Sequence, residues 1–146
     1  MQLHDYFSRL REGSLKGGFS GADNFAFPQG STSALAESVV KQYFGTARLT
    51  ESARARMVPA GPNQPWQIPS RSYNGDPVQF DVDAINQAAA DAEWLVFCFH
   101  DVKAQEPPAG QNMSAATLNT ILAAAQAAGM DVVTMRDVMR ETRVSA

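Results

Sequence analysis

Residues 94–102 read WLVFCFHDV, and no other stretch of the chain narrows its fold as far. Six apolar side chains in succession (Trp94, Leu95, Val96, Phe97, Cys98 and Phe99) run directly into His100 and Asp101. A run this short, rich in aromatic and β-branched residues, predicts a strand covered on both faces. Strands of that kind belong to parallel sheets, whose reactive groups gather beyond the carboxyl ends of the strands. His100 stands at such an end. Its imidazole emerges there from a dry wall into a cleft, where a modest change of environment lets it give or take a proton near neutrality.

The flanking sequence alternates between strand and helix patterns. Residues 1–3 read as the tail of a strand, with His4 just past its end. Residues 5–16 follow as a helix with Tyr6, Phe7 and Leu10 inward, capped by Asp5 and stopped by Gly17 and Gly18. Residues 24–27 are a strand candidate, closed by the turn signal Pro28, Gln29, Gly30. Ser31 or Ser33 then caps a helix whose inner face is Leu35, Val39, Val40, Tyr43 and Phe44. Gly45 ends it in the left-handed backbone that glycine tolerates, and residues 46–50 make a strand, completing a β–α–β unit. Residues 51–65 are irregular, because Pro59, Gly61, Pro62, Asn63 and Pro65 exclude regular structure.

Residues 66–68 read as a short strand and 72–77 as turn chemistry. Asp81 caps a helix running to about Ala92, with Val82, Ile85, Ala88 or Ala89, and Ala92 inward. After the central strand and a polar loop at 103–112, Ser114 caps a helix that buries Leu118, Ile121, Leu122 and Ala125 and ends at Gly129. Residues 131–135 are a last strand and 136–142 a terminal helix. This order predicts an α/β fold, a parallel sheet with helices packed on it, closed or open. Right-handed crossovers would then bring Pro28–Gly30, residues 48–50, Ser70 with Arg71, and His100 with Asp101 to one rim, and His4 as a fifth contributor.

Composition limits what that rim can meet. A chain of 146 residues suits a single domain with a real core. Its formal charge of −3 gives no reason to expect nucleic acid or an anionic membrane as partner. The single Cys98 excludes a disulfide framework and a multi-cysteine zinc site, and mid-strand it reads as a small core hydrophobe. No stretch approaches the roughly 18 apolar residues needed for a membrane span. The amino terminus lacks a signal-peptide layout, so the compartment stays open: cytoplasmic as written, cell-envelope or secreted if a leader precedes it.

The rim inventory is an imidazole, an adjacent carboxylate, one or two guanidiniums and Trp66. Those groups suit a polar, sugar-like ligand: an aromatic face to stack on, donors to orient it, and an acid to protonate a leaving group. A nucleophile with an attendant base is missing. The two histidines are 96 positions apart and offer no metal-ligand spacing.

Three segments together resemble the second half of a polysaccharide deacetylase of the NodB-homology type (carbohydrate esterase family four). NFAFPQG at 24–30 is similar to the family's aromatic–Ala–aromatic–Pro–x–Gly turn, followed as there by a helix and a GTAR strand at 45–48. WLVFCFHDV is similar to the strand that delivers the family's catalytic histidine, and residues 114–139 to its closing helix, strand and helix. WQIPSRS at 66–72 fits between them, and the likeness covers residues 24–139.

The resemblance implies a partial or distorted (β/α) barrel of the glycoside hydrolase–deacetylase type, lacking its first strands. It also implies metal-dependent removal of acetyl groups from N-acetylated polysaccharide, with a divalent metal, commonly zinc, at the site. His100 matches the histidine that protonates the departing amine. Phe27, Pro28, Gln29 and Gly30 match the turn lining the substrate groove, although Gln29 replaces an aromatic residue and Ala26 stands where many members carry arginine. Trp66, Arg71 and Asp101 join them as substrate-binding candidates. The family's early aspartate pair, which supplies the base and a metal ligand, has no counterpart here. Its histidine pair four residues apart is also missing, with His4 standing as the candidate for the second member and so as a metal ligand.

Plainer readings stand beside these. His100 reads otherwise as an inert cap on a strand end, His4 as an exposed terminal residue, and Trp66 as core. Asp101 reads as an orienting or solvated neighbour, and Arg71 as either a groove residue or a partner for Asp76 or Asp81. The alternatives to the enzyme are a non-catalytic carbohydrate-binding module on a deacetylase-like scaffold and a structural remnant that only associates. A barrel without its first strands leaves an open edge, which predicts a homodimer.

Overall fold

The computed structural model describes residues 3–18, 22–50, 65–104 and 111–144. The irregular stretch at 51–64, residues 1 and 2, and the Pro107-Pro108 part of the polar loop lie outside them. In chain order the elements are α1 (Leu3–Lys16), β1 (Asn24–Ala26), a 3-10 turn (Pro28–Gly30), α2 (Ala34–Val40), β2 (Thr46–Arg48), β3 (Arg71–Ser72), α3 (Gln79–Ala90), β4 (Phe97–Cys98), β5 (Val102–Lys103), β6 (Met113–Ser114), α4 (Ala115–Ala127) and α5 (Met135–Val144). The strands form three two-stranded pairs, all parallel: β1 with β2, β3 with β4, and β5 with β6. None closes into a barrel among the described residues. The chain divides into two compact units, the first within Met1–Leu49, Ala60–Ile68 and Thr134–Ala146, the second within Thr50–Pro59 and Pro69–Val133. Among the described residues no helix is long and apolar enough to cross a membrane.

The first unit is a β–α–β crossover packed with aromatic rings. β1 and β2 align Asn24 with Thr46, Phe25 with Ala47 and Ala26 with Arg48, and α2 connects them. Ser33, not Ser31, caps α2, its hydroxyl oxygen accepting from Ala36 N–H at 3.2 Å. Phe7, Phe27, Val39, Val40, Phe44 and Ala47 form the core. The Phe7 ring meets Phe25 and Phe44 edge-on at centroid distances of 5.3 and 6.0 Å, an arrangement the ring quadrupoles favour. Phe7 alone of the expected α1 face is buried, while Tyr6 and Leu10 stay 47% and 41% exposed.

Four sequence expectations change here. α1 already includes Leu3 and His4, so His4 sits in a helical first turn and not beyond a strand. Gly45 does not adopt a left-handed backbone at the end of α2. Tight bonds from Gln42 N–H to Val39 O and from Tyr43 N–H to Val40 O, both 3.0 Å, satisfy the last carbonyls before the glycine is reached. The strand expected at 131–135 is absent, because Thr134 and Asp137 cap α5 reciprocally: each backbone N–H donates to the other's side chain at 3.3 Å. The strand expected at 66–68 shrinks to Ile68, bridged in parallel to Arg48.

On α2, Glu37 accepts from Lys41 Nζ at 2.7 Å and from Gln67 Nε2 at 2.8 Å. The Lys41 bond first, then that from Gln67, holds the carboxyl below the usual carboxylate range despite partial desolvation. A depressed folded-state pKa gives stability that is present above the unfolded value and lost as pH falls through the folded one. Glu37→Gln is therefore expected to cost about 0.5 kcal/mol at pH about 7 and nothing at pH about 2, by urea unfolding of both proteins.

In the second unit β3 and β4 align Arg71 with Phe97 and Ser72 with Cys98, and α3 packs on α4. Tyr73, Ile85, Met113, Ile121 and Ala125 form its core. The central run is half-buried from Trp94 to Phe99, not covered on both faces, and only Phe97 and Cys98 are paired as strand. Its alternation explains this. Leu95, Phe97 and Phe99 share one face and pack on the unit's core, whereas Val96 and Cys98, on the other face, are not part of that cluster. Asp81 also departs from expectation. Val78 occupies the cap position of α3, and Asp81 lies in the first turn, fully buried. Ser114 caps α4 as its position predicts, accepting from Thr117 N–H at 2.9 Å, and Gly129 ends that helix region at φ 70°.

Candidate functional site

In the first unit, chemistry collects where β1 ends. Phe27 N–H donates to Arg48 O at 3.1 Å, tying the bend to β2, and Gly30 N–H returns to Phe27 O at 2.9 Å. Two left-handed residues in succession, Gln29 at φ 55° and Gly30 at φ 68°, turn the chain. For glutamine that backbone costs about 1–2 kcal/mol, strain that an ordinary surface turn would shed. Phe27 is 4% exposed and belongs to the core, so Pro28 and Gln29 are the residues of the bend that face solvent.

Trp66 belongs to the same unit and is half-buried. Its Nε1 donates to Phe44 O at 3.2 Å, and Lys41 Nζ lies 5.0 Å from the centre of the ring. His4 is exposed on α1, with Nδ1 2.9 Å from the Tyr43 hydroxyl.

In the second unit His100 lies two residues beyond the carboxyl end of β4, solvent-exposed. Phe97 and Phe99 stack at 5.5 Å with their planes 20° apart. Among the described residues the imidazole has no hydrogen-bond or ion-pair partner. Asp101 is exposed and paired with Lys103 Nζ, whose hydrogen bond and charge hold the carboxyl below the usual carboxylate range. It is thus ionised at neutral pH, which suits orienting a cationic or hydroxyl group and not donating a proton. Arg71 is 5% exposed and paired with Asp81, one of the carboxylates weighed for it, in a buried ion pair and not at the surface.

A zinc ion needs about three or four protein ligands in tetrahedral array. Among the described residues no three His, Cys, Asp or Glu side chains come together, so His4 with its neighbours does not fit a metal site by itself. No protein-family model, curated protein or solved structure matches this chain. What remains is local geometry: in each unit a candidate follows the carboxyl end of a strand in a parallel pair, the bend after β1 and His100 after β4. Sequence reading missed the burial of Arg71 and Asp81, which no local pattern signals because the two lie ten residues apart on different elements. It also missed the cations at the opposite end of β1 and β2, described below.

Proposed function

We propose that this chain is the C-terminal part of a metal-dependent deacetylase of N-acetylated polysaccharide, in which His100 acts as general acid. The reading rests on one observation: a solvent-open imidazole, unencumbered by any partner among the described residues, just past the carboxyl end of a parallel strand. Hydrolysis of an acetamide expels an amine that is too basic to leave without a proton, and an imidazole is a side chain commonly positioned to supply one. Asp101, exposed and next to His100 in the chain, serves as an orienting group on this reading. A three-ligand metal site that includes His4 needs at least one ligand from outside the described residues, and the partial (β/α) barrel belongs to the same proposal.

The test is acetate release from an N-acetylated chito-oligosaccharide in the presence of zinc, paired with calorimetric binding of the same sugar. Release of acetate supports the enzyme. Saturable binding without release supports the second reading, a carbohydrate-binding module on a deacetylase-like scaffold. Neither signal at millimolar sugar removes both.

Association through an open sheet edge is part of the proposal as well. β3 and β4 form a two-stranded pair, and Val96 and Cys98 do not join the unit's own core. Sedimentation at micromolar concentrations is expected to report a dimer, and a single monomeric species throughout would rule it out.

A further inference from the structure

A cavity of about 480 Å³ opens in the first unit against the first residues of β1 and β2, the opposite end of that strand pair from the Pro28–Gly30 bend. Among the described residues its wall carries three cations, Arg11 from α1, Lys41 beyond α2 and Arg136 from α5, against one carboxylate, Asp23. In a chain whose formal charge is −3, that is a local reversal of sign. The cations are not equally committed. Lys41 is held by Glu37 at 2.7 Å and lies over Trp66, so it contributes field more than contact. Arg11 reaches Asp23 through one Nη at 3.2 Å, and both side chains remain about half-exposed, 42% and 53%. Arg136 is exposed and has no partner among the described residues.

Two guanidiniums on one cavity wall, drawn from helices at opposite ends of the chain, offer planar donor forks that match the oxygens of a carboxylate or phosphate. The volume lies within the range of about 300–1,000 Å³ typical of small-ligand pockets and exceeds what a bare inorganic ion fills. Tyr43 and Phe44 supply aromatic surface beside the charges. We propose that this cavity binds a small organic oxyanion, a phosphate monoester or carboxylate of monosaccharide size, gripped by Arg11 and Arg136. The site is independent of the deacetylase reading and lies at the other end of β1 and β2 from the Pro28–Gly30 bend.

Calorimetric titration of the whole chain at low salt, with glucose 6-phosphate, glucuronate, inorganic phosphate and glucose as probes, tests the assignment. One of the two organic anions is expected to saturate, and which one does identifies the head group. Glucose should not bind, and inorganic phosphate should bind more weakly than the sugar anion. Arg136→Gln, at an exposed position, is expected to weaken binding by about 10-fold or more. Asp23→Asn should act in the opposite direction, tightening binding several-fold by removing the competing carboxylate and releasing Arg11. No saturable binding of either organic anion at about 10 mM, equal binding of glucose, unchanged affinity in Arg136→Gln, or weaker binding in Asp23→Asn would each overturn the proposal. The opposed signs of the two variants keep a folding defect from imitating the expected result.

Discussion

Asp81→Ala should destabilise the protein by about 3–5 kcal/mol, measured by urea unfolding at neutral pH, a large share of the stability of any small protein. The reason lies in where the pair sits. Asp81 is fully buried in the first turn of α3, and its partner Arg71 is 5% exposed on β3. Removing the carboxylate leaves a guanidinium out of water with no counter-charge. Asp81 Oδ2 and Ser72 Oγ are buried with no hydrogen-bond partner among the described residues, which marks the neighbourhood of the pair as dry. Replacing both members by apolar residues of similar volume, Arg71→Met with Asp81→Leu, should recover most of the loss, because the desolvation cost of two charges disappears along with their attraction. A single-variant loss below about 1 kcal/mol would mean that the pair is open to solvent in solution.

His100→Ala carries the second large effect, on rate and not on stability. If the imidazole protonates the departing amine, its removal should lower acetate release by about 10²–10⁴-fold. Affinity for the chito-oligosaccharide should stay within a few-fold, because the proton is delivered in the transition state and not in the bound ground state. The unfolding midpoint should not move, since the ring is exposed and has no partner among the described residues to lose. An unchanged turnover would take His100 out of the mechanism. A lowered midpoint would instead make it a structural residue, the plainer reading of a histidine at a strand end.

Much of the local structure was legible because it depends on neighbours in sequence. Ser114 and Gly129 bracket α4 where a capping hydroxyl and a left-handed glycine are expected, and Ser33 is one of the two candidates expected to cap α2. The β–α–β crossover from Asn24 to Arg48 follows from two short apolar runs separated by one amphipathic helix. Errors cluster where two signals competed. Residues 131–135 hold adjacent valines that favour a strand, but Thr134 and Asp137 form a cap, and the helix they start takes precedence. Asp81 has the chemistry of a cap, yet a buried cation on another element gives its carboxylate a stronger partner than a backbone N–H.

The candidate site divides in the same way. That His100 follows a strand, and that Phe27 to Gly30 make a turn after another, could be read from apolar runs and turn residues, since both are consequences of short-range pattern. The sequence alone thus settled which segments are helices, where most of them stop, and that His100 and the Pro28–Gly30 turn follow strands. Only the folded chain decided which side chains of those segments leave water. It covered one face of the central run and not the other, drew Phe27 into the core while leaving Pro28 and Gln29 outside, and buried Arg71 against Asp81. It also brought Arg11 and Arg136, 125 positions apart, to one cavity. Burial and long-range pairing are properties of packed surfaces, and a surface exists only once distant segments meet.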